Sequence, residues 1–351
     1  MTGSAKPNGP MQAVLDQLHN LGAKPLETLP PEQARKQPSP ADATAAAALA
    51  AGLDGRPESV GDVQDRSFPG PAGPVALRVY WPKNAPVGED GLPVVLYIHG
   101  GGWVIADLDV YDASPRAIAN AAGAIVVSTH YRQGPEDKFP AAHDDTLAAY
   151  RWVLENAASF GGDGRRFALV GESAGGNMAA NIAIQARDLG LVEPLHQVLV
   201  YPVANNDMDS PSYIENANAK PLGKAAMGWF VQHAFNSPAE TADPRIALVT
   251  QPDLSALPGA TVILAQIDPL RSEGEAYARK LGEAGVDVLV KQYDAVTHEF
   301  FGMGAVLQEA RDAQQLAGAR LREAFANAGE ALPALAASRH NGSGARPAAT
   351  L

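Results

Sequence analysis

A serine set between glycines is the residue of this chain best placed for nucleophilic chemistry. Gly171-Glu172-Ser173-Ala174-Gly175 follows the apolar run 167–170 and precedes a segment with helical spacing. A sharp strand-to-helix turn would present the central hydroxyl above the sheet, and the flanking glycines permit a close approach that a Cβ would block. The start of the following helix favours negative charge developing beside that hydroxyl. The pattern therefore predicts Ser173 as a nucleophile.

A second motif consists of successive glycines directly after the apolar run 94–98. His99-Gly100-Gly101-Gly102-Trp103 allows several backbone N–H groups to point at one spot, which is what an oxyanion hole requires. Glycine runs also occur in flexible turns and phosphate-binding loops. No Lys-Ser/Thr pair follows this run, however, and the G-x-G-x-x-G form is absent. We interpret His99 as a structural hydrogen-bonding residue rather than a catalyst.

A serine nucleophile needs a base, and the base needs a carboxylate to orient it. Of the eight histidines, only His298 follows the last predicted strand, and Asp268 follows the apolar run 262–265. Pro269 ends that strand. The order is Ser173, Asp268, His298, and each residue comes at the carboxyl end of a predicted strand, where open α/β sheets place their ligands.

Short apolar runs alternate with helical segments along most of the chain, which predicts an α/β fold with a mainly parallel sheet covered on both faces. The predicted strands span residues 75–80, 94–98, 125–129, 167–170, 198–201, 262–265 and 286–290. The predicted helices span residues 11–21, 41–51, 114–122, 141–156, 174–189, 272–284 and 304–325.

Four segments are predicted from the change in pattern. Residues 1–60 form a helical accessory segment, and residues 61–203 with 243–328 form the α/β unit. Residues 204–242 contain clustered aromatic residues and no clear strand, so they form either a lid or an ordinary helical excursion. Residues 329–351 are rich in Ala, Pro, Ser and Gly and are expected to be a disordered tail.

Composition excludes several classes of function. The 351 residues carry a net charge of −12, which argues against nucleic acid and anionic membrane surfaces as partners. The chain has no cysteine, which excludes disulfides, thiolate zinc sites and a cysteine nucleophile. No His/Asp/Glu cluster has metal-ligand spacing, and no apolar run approaches the roughly 20 residues of a membrane span. We expect a cytoplasmic protein with no metal, no cofactor and no stable membrane insertion.

The two motifs together resemble those of the bacterial hormone-sensitive-lipase-like (family IV) carboxylesterases, a branch of the α/β-hydrolase superfamily marked by HGGG and GDSAGG. They stand here as HGGGW at 99–103 and GESAGGN at 171–177. DPLRSEGEAYARKL at 268–281 and THEFF at 297–301 carry the acid and the base. The resemblance runs from about residue 60 to residue 325. The chain departs from the pattern at Glu172, where Asp is usual, and at Glu299, where Gly is common.

The resemblance implies an α/β-hydrolase fold with a mostly parallel eight-stranded sheet and a cap built from the N-terminal helices and the 204–242 insert. It implies hydrolysis of short- to medium-chain carboxylic esters by water through an acyl-enzyme, without a cofactor. The family's oxyanion donors correspond to the N–H groups of Gly101, Gly102 and Ala174. Dimers are frequent among similar proteins, so a homodimer stays open. Candidate pocket walls are Trp103, Phe139, Tyr201, Trp229, Phe230 and Phe301.

Two other functions are compatible with the same residues. An amidase or arylformamidase would use the same residues on a different bond. A ligand-binding relative without catalysis would use the same fold, although such relatives usually lack an intact triad.

Overall fold

An eight-stranded sheet crosses the centre of the protein, and helices cover both of its faces. The computed structural model describes residues 5–84 and 91–340, with residues 329–340 described by their backbone alone. The strands are β1 (Asp62–Gly70), β2 (Gly73–Trp81), β3 (Leu92–Ile98), β4 (Ile125–Thr129), β5 (Gly162–Glu172), β6 (His196–Val200), β7 (Gly259–Ile267) and β8 (Val288–Thr297). Their order in the sheet is β1-β2-β4-β3-β5-β6-β7-β8. β2 runs antiparallel to β1 and β4, and all other neighbours are parallel. This architecture confirms the predicted fold class.

Ten helices accompany these strands in the described part of the chain. They are α1 (Gly9–Asn20), α2 (Pro31–Ala34), α3 (Pro40–Ala50), α4 (Ala113–Ala122), α5 (Ala141–Asn156), α6 (Ala174–Asp188), α7 (Pro211–Glu215), α8 (Lys224–Ala234), α9 (Arg271–Glu283) and α10 (Gln308–His340). α10 extends into the segment 329–351, for which the sequence predicts a disordered tail. Residues 341–351 of that segment lie outside the described residues.

Strand β3 shows why the sheet is covered on both faces. Val94, Leu96 and Ile98 belong to one buried apolar cluster, while Val95 and Tyr97 belong to another. Successive side chains of a strand point to opposite faces, so an unbroken apolar run is suited to a strand buried on both sides. The first cluster includes residues of α5, α6 and α9, and the second includes residues of α4 and α10.

The sequence predictions were wrong at the two edges of the sheet. β1 was missed altogether, because Phe68 is its only buried residue. The sequence predicts the last strand at 286–290, whereas β8 spans Val288–Thr297. Edge strands face solvent on one side and carry polar residues there, so their sequences lack the apolar run by which the inner strands are recognised.

The strand ends bring distant parts of the chain to one edge of the sheet. Ser173 directly follows β5, Asp268 directly follows β7, and His298 directly follows β8. Ile267 and Thr297, the last residues of β7 and β8, are register partners, which places the acid and the histidine side by side. His99 and the glycine run directly follow β3, which pairs with β5.

The N-terminal segment and the insert meet each other above this edge. The Trp229 indole on α8 donates a hydrogen bond to the carbonyl of Leu29 at 2.9 Å. No helix in the described part of the chain combines the length and the hydropathy that a membrane crossing requires.

Candidate active site

The turn that carries Ser173 has an unusual backbone conformation and packs closely at the two glycines that flank the serine. Ser173 has φ 58° and ψ −118°, which lies outside the backbone regions that residues with a side chain ordinarily adopt. A Cβ on Gly171 would lie 2.2 Å from the carbonyl oxygen of Gly175, and a Cβ on Gly175 would lie 2.0 Å from that of Ile98. Gly171 therefore allows the end of β5 to approach the start of α6, and Gly175 allows the start of α6 to pack against the end of β3.

Three side chains from three strand ends form a hydrogen-bonded series. His298 Nε2 is 3.0 Å from Ser173 Oγ, and His298 Nδ1 is 2.7 Å from Asp268 Oδ2. Asp268 Oδ1 also accepts the N–H of Leu270 at 2.8 Å, which fixes the carboxylate. Asp268 is fully buried, and Ser173 and His298 are 5% and 3% exposed. This arrangement allows the imidazole to accept the serine proton while the carboxylate holds the ring.

The carboxylates around His298 favour its protonated form. Burial alone would lower the pKa of His298, but Asp268, Glu299 and Glu172 raise it, and the net result is a pKa above the ordinary value. The ring of Tyr201 packs beside the imidazole with centroids 4.3 Å apart. A positive charge that forms on the imidazole during proton transfer is therefore stabilised in place.

The glycine run offers backbone donors beside the serine. Val104 N–H and Ile105 N–H both donate to the carbonyl of Gly101, at 3.0 and 2.9 Å, which turns the N–H of Gly102 the opposite way. Gly101 and Gly102 have φ 94° and 56°, values that favour glycine. Within the described residues, the N–H groups of Gly101, Gly102 and Ala174 donate to no protein acceptor. They are available to an oxyanion next to Ser173 Oγ.

His99 sits beneath this loop and does not reach the serine. Its Nδ1 is 2.8 Å from the Gly100 carbonyl oxygen, and its Nε2 is 3.1 Å from His130 Nδ1. Burial, together with His130, lowers the pKa of His99 to about 3, so the ring is neutral. Tyr131 donates its hydroxyl proton to the carbonyls of His99 and Gly100. These contacts are those of a residue that shapes the loop.

Glu172, the residue before the serine, is fully buried between two tyrosines. Tyr97 and Tyr201 both donate their hydroxyl protons to its carboxyl group. Burial, with a further contribution from the nearby Glu299, raises the pKa of Glu172 to about 7. The carboxyl thus ties together the ends of β3, β5 and β6 below the serine.

A cavity of about 1090 Å³ opens above the serine and is lined by the N-terminal segment, the insert and the strand-end loops. Trp103 and Phe230 line it, as the sequence predicted, and Phe235 joins them. The other predicted walls are corrected. Tyr201 is turned below His298, Trp229 packs on Leu29, and Phe301 lies in the buried cluster with α10. Phe139 likewise packs on the core rather than on the cavity.

Arg35 was missed by the sequence analysis and connects the N-terminal segment to the glycine loop. Its guanidinium donates to the carbonyls of Val104 and Gly134 at 2.8 and 2.7 Å, and it forms a two-pronged pair with Glu136. The sequence carries no local signal for this contact, because the residues are about 70 and 100 positions apart.

Among the residues that the structure describes, no three His, Asp or Glu side chains are grouped so that they could hold a metal ion.

The fold and the serine–histidine–aspartate series define a hydrolase of the α/β class, and residues 95–302 match the family described as alpha/beta hydrolase fold. The chain belongs to this family, within its hormone-sensitive-lipase-like branch. It is 42% identical to the carboxylesterase NlhH of Mycobacterium tuberculosis over 255 residues, which are 72% of this chain and 79% of that protein. It is 35% identical to the ethyl acetate hydrolase of Pseudomonas putida over 287 residues, which are 82% and 88% of the two chains.

A solved structure shows the same architecture. The hyperthermophilic esterase from the archaeon Pyrobaculum calidifontis superposes with a TM-score of 0.79 at 34% identity, and the match covers 91% of this chain and 98% of the other.

Proposed function

We propose that the protein is a serine carboxylesterase that hydrolyses short- to medium-chain esters through an acyl-enzyme on Ser173. The observation that carries this proposal is the series Asp268–His298–Ser173, with contacts of 2.7 and 3.0 Å, at the floor of an open cavity. The names of the relatives support the ester as the bond that is cleaved.

In the proposed mechanism, Ser173 Oγ attacks the ester carbonyl while His298 Nε2 takes the serine proton. The carbonyl oxygen becomes an oxyanion and accepts hydrogen bonds from the N–H groups of Gly101, Gly102 and Ala174. His298 then protonates the leaving alcohol, and the acyl group stays on the serine. Water repeats both steps and releases the acid. Asp268 holds the ring through its hydrogen bond to Nδ1 and stabilises the imidazolium.

The walls of the cavity are suited to binding small and medium apolar acyl groups. Its described walls include Trp103, Val203, Phe230, Phe235 and Ile246, all of which are apolar and buried. Apolar walls of this kind favour an aliphatic chain by removing it from water.

A chain-length series combined with a matched amide tests the proposal. We expect p-nitrophenyl acetate and butyrate to be hydrolysed efficiently, and octanoate to mark the upper end of the range. The p-nitroanilide of the best acyl group should be cleaved far more slowly than the ester, since the amide is the less reactive bond. Faster cleavage of the anilide would favour the amidase alternative, and binding of esters without turnover would favour a non-catalytic relative.

We also propose that residues 1–60 and the insert 204–242 act together as the cap over the site. Leu15, Leu18 and Leu26 from the first segment and Leu222 and Met227 from the second all line the cavity. An acyl chain bound between the two segments would contact both of them, so its binding depends on the two segments remaining packed against each other.

Deleting residues 1–52 should shift the preference toward shorter esters. The deletion removes the three leucines that line the cavity and also the Arg35 contact with the glycine loop, so turnover of octanoate should fall before that of acetate. It also exposes apolar surface, and we expect aggregation. The measurement is kcat/KM for the acetate, butyrate and octanoate esters, with light scattering on the purified product. An unchanged profile in a monomeric product would contradict the cap.

A further inference from the structure

Glu299 places a second carboxylate on the catalytic histidine. Its Oε1 lies 3.8 Å from His298 Nε2, the same nitrogen that lies 3.0 Å from Ser173 Oγ. Asp268 occupies the other side of the ring, 2.7 Å from Nδ1. The imidazole therefore has a carboxylate beside each of its nitrogens, although a triad needs only the one at Nδ1.

The position of Glu299 is built into the loop. The residue has φ 74°, a conformation that favours glycine, and its carboxylate lies beside His298. The Tyr111 hydroxyl is 2.8 and 2.9 Å from the two carboxylate oxygens and donates its proton to them. Tyr111 reaches this point because Gly100 has no side chain, since a Cβ there would lie 2.3 Å from the tyrosine oxygen. The Glu299 side chain is 20% exposed and faces the cavity.

Among the described groups that surround Glu299, the imidazole of His298 is the one that can carry a positive charge. They are the carboxyl groups of Asp268 and Glu172, the hydroxyl groups of Tyr97, Tyr111, Tyr131 and Tyr201, and the imidazole of His298. Burial and, more weakly, Asp268 raise the pKa of Glu299, while His298 and the Tyr111 hydroxyl lower it, and the net result is a pKa above the ordinary value for a glutamate. In the described residues, no lysine or arginine forms an ion pair with this carboxylate.

We propose that Glu299 is a positioning residue that stabilises the imidazolium formed on His298 in each acyl transfer. The inference rests on the proposed function, because it presumes that His298 is the base. The carboxylate takes no proton in this role and makes no bond to the substrate. It lowers the energy of the state in which His298 Nε2 carries the serine proton, and it keeps that proton pointed into the site.

The test is the pH dependence of ester hydrolysis by Glu299→Gln. Removing a negative charge beside the imidazole lowers the pKa of His298, so the neutral base persists to lower pH. We expect the acid limb of kcat/KM for p-nitrophenyl butyrate to move down by about 0.5 to 1 pH unit. Above that limb, kcat should fall by about three- to tenfold, because the imidazolium in the transition state is less stabilised. A role confined to folding would not move the limb.

Two variants sharpen the comparison. Glu299→Asp retains the charge, so its acid limb should lie between those of the wild type and Glu299→Gln. Glu283→Gln makes the same chemical change at an exposed surface pair with Arg279 and should match the wild type throughout. An acid limb that stays in place in folded Glu299→Gln would overturn the proposal.

A measurement on the unaltered enzyme keeps the proposal testable if Glu299→Gln fails to fold. Carbon-13 NMR of the Glu299 carboxyl group should show it ionised over the pH range in which His298 titrates, and a protonated Glu299 in that range would overturn the inference. The two proposals also fail separately. Without hydrolysis that depends on Ser173 the proposed function is wrong, whereas such hydrolysis with an unmoved acid limb contradicts only the role of Glu299.

Discussion

Ser173→Ala should lower kcat for p-nitrophenyl butyrate by on the order of 10⁶-fold, the loss expected when the nucleophile of such a triad is removed. The change deletes only Oγ, so the turn at φ 58° keeps its backbone and the protein should fold normally. A serine-directed phosphonate should label Ser173 in the wild type and leave the variant unmodified. Turnover and mass spectrometry of the labelled protein measure both effects.

Ser128→Ala is the matched control for this experiment. Ser128 is a buried serine on β4, and its hydroxyl has no hydrogen-bond partner among the described residues, so its removal should leave activity and labelling unchanged. Near-normal turnover by Ser173→Ala, or phosphonate attached to another residue, would contradict the assignment of the nucleophile.

Substitutions at the base and the acid should be the next most damaging. His298→Ala should approach the loss of Ser173→Ala, and Asp268→Asn should lose about 10⁴-fold, because the ring loses the partner that holds its tautomer. The double variant Ser173→Ala/His298→Ala should be no worse than Ser173→Ala alone, since the residues act as a unit. The measurement is kcat for each single and double variant on one ester.

Two other histidines, His143 and His130, provide the control for the assignment of His298 as the base. His143 Nε2 is 3.0 Å from Asn177 Oδ1, and His130 contacts His99, so neither ring reaches the serine. His143→Ala and His130→Ala should each retain far more activity than His298→Ala when folded. If either abolished turnover while His298→Ala stayed active, the base would have to be reassigned.

The inner strands and their helices could be predicted because their signals are local. The strand 125–129 and the helix 141–156 have the bounds that the sequence predicts. Both pack against buried neighbours, so the spacing of their apolar residues indicates which of their faces are buried. β1 and the outer part of β8 could not be predicted for the opposite reason. The alternation of apolar and polar residues is weak in an edge strand, and its bounds depend on pairing with the neighbouring strand.

The candidate site likewise has features that the sequence predicts and features that it does not. Three of its suggested pocket walls illustrate the difference, since Trp103 and Phe230 line the cavity while Tyr201 lies beneath it. Aromatic residues near a strand end are visible in the sequence, but the direction of each ring depends on packing. Glu299 was visible only as a departure from the family pattern, and its distance to His298 could not be inferred.

The sequence by itself determined the features that depend on a few adjacent residues. The glycines around Ser173 and in the run after β3 permit backbone angles and close approaches that other residues forbid, and these requirements are local. The tertiary structure alone decided which side chains meet. Ser173 and His298 are 125 positions apart, and the register of β7 with β8 sets Asp268 beside the ring. The Tyr111 hydroxyl, which packs under Gly100, holds Glu299 there. Such contacts follow from the packing of the whole sheet, which no short stretch of sequence encodes.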